Sequence, residues 1–71
     1  MNIQLSQQLM SDLQDTVRTA YSAKGIVNVA SIAEQIRSRN VSENIALEDI
    51  TARVMAQAQL LNAAMEFDTE V

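Results

Sequence analysis

One glycine and no proline occur among the 71 residues of this chain. A sheet protein of this length needs several turns, and glycine and proline are among the residues that turns use most. Helices need neither residue, and a helix interior without proline keeps its hydrogen bonds. The sequence is therefore predicted to be all-α, with a few short connections between its helices.

The length of the chain allows one small domain. A domain of about 60 residues buries only about 60% of the surface that its unfolded chain exposes, so its stability is marginal. Disulfides, metal sites and association with other chains are the usual remedies. The sequence has no cysteine and no histidine, which removes disulfides, thiolate metal sites and the commonest metal ligand. Association with another chain is the remedy that remains.

Apolar residues recur at helical spacing in three segments, which predicts helices over about 3–24, 30–39 and 43–67. The first helix has one apolar stripe, about 160° wide, as expected for a helix that faces a core. Gly25 follows this stripe, and it is expected to end the helix because glycine adopts a left-handed conformation at little cost. The second helix is expected to begin at Asn28 or at Ser31, which has the spacing of a capping box with Glu34.

Two short connectors separate the predicted helices. Residues 26–29 favour extended structure but are too short for a stable sheet of their own. We interpret them as a linker that places Ile26 or Val27 in the core. Before the third helix, Asn40 or Ser42 is the predicted N-cap.

These elements define a single domain. Residues 1–67 are predicted to form three antiparallel or crossed helices around one core. Residues 68–71 are predicted to be an acidic tail that frays.

The third predicted helix carries apolar residues on two sides. Its main stripe consists of Leu47, Ile50, Val54, Ala58, Leu61 and Met65. A second band lies about 180° from this stripe. It consists of Ile45, Ala52, Ala56, Leu60, Ala63 and Phe67.

A helix that is apolar on two sides is usually buried on two sides. One interpretation places the third helix between the other two helices of the same chain. The other interpretation leaves the second band for a partner, because three short helices have little material to enclose so long a helix. We expect the second band to bind a second copy, through antiparallel third helices, or another protein.

No combination of residues typical of catalysis is present. The pairs Asp12 with Asp15 and Glu48 with Asp49 are interpreted as solvated surface, since a general acid and base need a cleft that separates their pKa values. One glycine cannot make a glycine-rich phosphate loop. We expect no catalytic residues, no metal and no cofactor, and the chain is predicted not to be an enzyme.

The net charge of −4 disfavours binding to nucleic acid or to anionic lipid, because both attract basic residues. No apolar run approaches the roughly 20 residues of a membrane span. The first residues lack the basic and apolar regions of a signal peptide. The sequence therefore predicts a cytoplasmic protein with no membrane contact.

A helix-turn-helix DNA-binding regulator is the alternative function. Residues 30–36 resemble the first helix of that motif, and 41–44 resemble the start of its recognition helix. Arg53 is a candidate phosphate ligand, but phosphates would repel Glu48 and Asp49. The leading prediction is therefore a small non-catalytic module that binds protein.

Overall fold

Three helices and two short strands make up residues 5–68, the part of the chain that this computed structural model describes. The prediction of a small, mostly helical three-helix domain is confirmed. A two-stranded sheet, which the sequence analysis did not predict, joins the helices. In chain order the elements are helix α1 (Gln7–Lys24), strand β1 (Ile26–Asn28), helix α2 (Val29–Arg39), a 3₁₀ turn (Val41–Glu43), helix α3 (Leu47–Leu60) and strand β2 (Ala64–Glu66).

Helix α1 has a side-chain cap at its start and a glycine at its end. The Ser6 hydroxyl accepts a hydrogen bond from the Leu9 N–H at 3.0 Å, which satisfies one of the free donors of the first turn. Gly25 has a φ of 71°, and its N–H donates to the Tyr21 carbonyl at 2.7 Å. The predicted end of α1 is confirmed. The predicted start at residue 3 lies outside the described residues, and α1 begins at Gln7.

Helix α2 begins at Val29 because Asn28 caps it. The Asn28 side-chain oxygen accepts from the Ser31 N–H at 3.1 Å. Of the two predicted starts, Asn28 is therefore confirmed, and Ser31 lies inside the helix. The helix ends at Arg39, as predicted.

The connector between α2 and α3 differs from the prediction. Asn40 caps the end of α2 rather than the start of α3, because its side-chain amide donates to the Ile36 carbonyl at 2.8 Å. Ser42 lies in the 3₁₀ turn, and Ala46 occupies the N-cap of α3 without a side-chain hydrogen bond. The predicted caps of α3, Asn40 and Ser42, are therefore wrong.

Helix α3 is shorter than predicted at both ends. It spans Leu47–Leu60 rather than 43–67. Asn62 has a φ of 57°, and the Ala63 N–H donates to the Ala58 carbonyl at 3.0 Å. This pattern is a Schellman ending, in which a left-handed residue stops the helix and satisfies its last carbonyls. Asparagine adopts that conformation more readily than most other residues.

The chain beyond this ending forms a strand instead of more helix. Strand β2 pairs in parallel with β1, so that Ile26 is opposite Ala64 and Val27 is opposite Met65. The Ala64 N–H donates to the Gly25 carbonyl at 3.2 Å and begins the ladder. Most of the linker predicted over residues 26–29 is thus half of a small sheet, and Val29 begins α2.

The core lies where α1, α2 and α3 meet the inner face of this sheet. The main stripe of α3 is confirmed as its core side at Ile50, Val54 and Ala58, which are buried. Leu61 and Met65, which the prediction placed on the same helix, lie beyond its end and pack against the core from there. Val27 is also buried, whereas Ile26 remains partly exposed. Every buried residue in the described part of the chain is apolar. They are Leu9, Leu13, Val17, Val27, Val29, Ile32, Ala33, Ile36, Ile50, Val54, Ala58 and Ala63.

Substitution of Asn62 distinguishes the observed end of α3 from a continuing helix. In the left-handed conformation, Asn62→Ala is expected to cost about 1 kcal/mol, and Asn62→Gly is expected to be neutral or stabilising. In a continuing helix, alanine would instead stabilise by about 0.5 kcal/mol and glycine would destabilise. Urea denaturation of the wild-type chain and of the two variants measures their order of stability. A ranking with alanine most stable and glycine least stable contradicts the observed ending.

Candidate protein-binding surface

The side of α3 that faces away from the core exposes three apolar residues. Ala52, Ala56 and Leu60 follow one another at four-residue intervals and are all exposed, so they lie along one side of the helix. Leu60 is 79% exposed at the end of this row. We call these three residues the outer stripe of α3. Its two alanines allow another backbone to approach closely, and Leu60 supplies bulk at one end.

The other three residues of the predicted interface do not lie on α3. Ile45 precedes the helix and packs against the core. Ala63 is buried in the turn after it. Phe67 follows β2 and is 55% exposed. Their grouping assumed helical spacing from 43 to 67, and this spacing stops at the Schellman ending. The structure therefore places half of the predicted set on one exposed helical side.

Charge is distributed unevenly around the outer stripe. Glu48 and Asp49 lie in the first turn of α3, where the positive end of the helix dipole favours them. No charged residue occurs from Val54 to Met65. The end of α3 that contains Leu60 therefore presents an uncharged surface in a chain where charged residues make up 20% of the sequence. A surface without charges is inexpensive to remove from water.

A polar cluster ties α1 to the end of α2. Arg39 donates to the Asp12 carboxylate through Nη2 at 2.9 Å and through Nε at 3.1 Å. The Asn40 side-chain amide donates to the same carboxylate at 2.9 Å. The Thr16 hydroxyl accepts from Arg39 at 2.8 Å and donates to the Asp12 carbonyl at 2.7 Å. Helices α1 and α2 are thus joined by a bidentate ion pair and by the hydrogen bonds of Thr16 and Asn40.

This cluster corrects the interpretation of Asp12 as a solvated surface residue. The Asp12 side chain is only 26% exposed. The hydrogen bond from Arg39 is the largest cause that lowers the pKa of Asp12, burial opposes this effect, and the bonds from Asn40 and Thr16 add to it. The sequence separation of 27 between Asp12 and Arg39 explains why no local pattern revealed the pair.

A second polar contact holds the connector before α3. The Ser6 hydroxyl, which caps α1, donates to the Glu43 carboxylate at 2.5 Å. The 3₁₀ turn that contains Glu43 is therefore attached to the start of α1, while Asn40 is attached to Asp12. Both contacts help to fix where α3 begins.

Other surfaces offer less to a ligand. Grooves of about 310 Å³ beside Val41 and Leu47 and of about 480 Å³ beside Ile26 and Ile32 are open to solvent. In residues 5–68, every buried side-chain nitrogen or oxygen has a hydrogen-bond partner, and no three Asp or Glu side chains are grouped so as to hold a metal ion. Polar residues line both grooves, among them Glu34 and Arg37 in the first and Lys24 and Glu66 in the second. Because both grooves are open to solvent, neither encloses a ligand as most small-molecule pockets do.

Comparison with known proteins gives no relative. No protein family, curated protein or solved structure matches this chain. Within residues 5–68, no helix has the length and apolarity that crossing a membrane requires. The residues of the chain and their geometry are therefore the basis for its proposed function.

The Asp12 cluster predicts a loss of stability in acid. Because the folded pKa of Asp12 is lowered, its contribution is complete above the unfolded value of about 3.9 and is lost as the pH falls through the lower, folded value. We expect a loss of about 1 kcal/mol, a small value because Arg39 is about half exposed. Urea denaturation at pH 6 and pH 2.5 measures this loss of unfolding free energy in the wild-type chain and in the Asp12→Asn variant. Equal acid losses in both chains contradict the prediction.

Proposed function

We propose that this chain is a small non-catalytic protein-binding module that forms a homodimer through the outer stripe of α3. The observation that supports this most is the 79% exposure of Leu60 at the end of a row of small residues. Burial of a leucine side chain stabilises by about 1.5–3 kcal/mol. A small domain with a marginal core gains stability from such burial when it associates.

An antiparallel pair of α3 helices fits the outer stripe. If the pair is centred on Ala56, Leu60 of each copy lies over Ala52 of the other copy. A large side chain then faces a small one, as close helix packing requires. The acidic first turns, which contain Glu48 and Asp49, lie at opposite ends of the contact, so they do not repel each other. The uncharged end of each α3, which contains Leu60, instead contacts the helix of the other copy.

The proposal includes a non-catalytic role in the cytoplasm. The chain has neither histidine nor cysteine, so it lacks the usual general base and a thiolate nucleophile. The lack of cysteine also fits a reducing compartment.

DNA binding through α2 and α3 remains the alternative function, because these two helices follow each other across a short connector. The charges give it less support. Helix α3 begins with Glu48 and Asp49, and Arg39 already pairs with Asp12. Retention on mixed duplex DNA that falls steeply with added salt would favour this alternative.

A single glutamate at the centre of the stripe tests the dimer. We expect the wild-type chain to sediment at about twice its monomer mass at micromolar concentration. Ala56→Glu is expected to give a monomer, because two buried carboxylates would face each other across the contact. Circular dichroism should show that its helix content is retained, since Ala56 is exposed within one chain.

Ala23→Glu is the matched control. It adds the same side chain at an exposed position of another helix, α1, and we expect it to remain dimeric. A wild-type chain that stays monomeric up to high concentration contradicts the proposal. Loss of the dimer in both variants would indicate an effect of net charge rather than a contact at Ala56.

A further inference from the structure

Strand β2 is paired along only one of its two edges within residues 5–68. In a parallel ladder, alternate residues direct their N–H and C=O groups to the same neighbouring strand. Ala64 bonds to Gly25, the residue just before β1, so Glu66, two residues further on, also faces β1. Met65 lies between them, and its backbone N–H and C=O therefore point to the outer edge, where no backbone partner is seen in the described range.

The outer edge is anchored from within and acidic at its surface. The Met65 side chain packs against the core, which holds the strand in place. Glu66 and Asp68 are exposed on either side of Phe67, which is itself 55% exposed. The edge thus combines free backbone groups, an exposed aromatic ring and two carboxylates. Free backbone groups at a strand edge can pair with an extended segment of another chain. The carboxylates favour a segment of opposite charge, because opposite charges across a strand pair stabilise it.

Charge argues against a second copy of β2 as the added strand. Antiparallel pairing of Met65 with Phe67 of another copy would place Glu66 directly opposite Glu66. Pairing Phe67 with Phe67 would place Glu66 opposite Asp68. Like charges directly opposite one another destabilise a sheet. The remaining register pairs Met65 with Met65 and leaves Phe67 unused, so it gains little.

We propose that the outer edge of β2 binds an extended segment of a partner protein in which basic and apolar residues alternate. Backbone hydrogen bonds to Met65 and Phe67 extend the sheet by one strand. Basic side chains of the segment lie beside Glu66 and Asp68, and its apolar side chains cover Phe67. This surface is separate from the outer stripe of α3, and it does not depend on the proposed homodimer.

A peptide titration of the full chain tests this proposal. The probes are the acetylated, amidated peptides Lys-Val-Lys-Val-Lys and Glu-Val-Glu-Val-Glu. We expect the lysine peptide to shift the amide NMR signals of Met65, Glu66 and Phe67, and to slow hydrogen exchange at Met65 and Phe67. The glutamate peptide should leave these signals unchanged. No shift at millimolar lysine peptide, equal shifts with both peptides, or shifts confined to 52–60 would each overturn the proposal.

Two sets of variants separate charge from backbone pairing. Glu66→Lys is expected to weaken binding of the lysine peptide by about fivefold or more and to allow binding of the glutamate peptide. Phe67→Pro removes one outward N–H and should abolish the protection at Met65, whereas Phe67→Ala keeps that N–H and should retain it. These positions are exposed, so an unchanged amide spectrum elsewhere confirms the fold. Equal binding by the proline and alanine variants contradicts strand addition.

Discussion

The parallel pairing of β1 with β2 is the constraint on which the rest of the molecule depends. Two parallel neighbours need a crossover of a dozen or more residues between them, and here α2, the 3₁₀ turn and α3 form that crossover. The pairing requires α3 to stop early enough for the chain to return beside Ile26. Asn62 provides this stop through its left-handed conformation, and Val27 is buried beneath the completed sheet.

The early end of α3 also defines the surface that is left for a partner. A helix that continued to residue 67 would carry an apolar band on its outer side as long as its core stripe. The observed helix ends at Leu60, so the outer stripe is short and terminates in this largely exposed side chain. The adjoining turn and strand are uncharged up to Met65, and the acidic residues follow at the edge of β2. Two different surfaces, one apolar and one acidic, therefore lie on either side of the same turn.

Features set by residues close in sequence were predictable. The glycine end of α1 and the core side of α3 at Ile50, Val54 and Ala58 follow from local conformational preference and helical spacing. The end of α3 was not predictable, because apolar residues continue at helical spacing past Asn62. In addition, helices end more often at glycine than at asparagine. Strand β2 and the pair of Asp12 with Arg39 depend on segments far apart in the chain, and short-range patterns carry no signal for such contacts.

The central functional claim is that Leu60 of one copy contacts the alanines of another. An isotope-filtered NOE experiment on an equal mixture of labelled and unlabelled chain observes only contacts between copies. The account predicts cross-peaks that join the Leu60 methyl groups to the methyl groups of Ala52 and Ala56. A dimeric sample in which Leu60 shows no such cross-peak, while residues of another surface do, would contradict it.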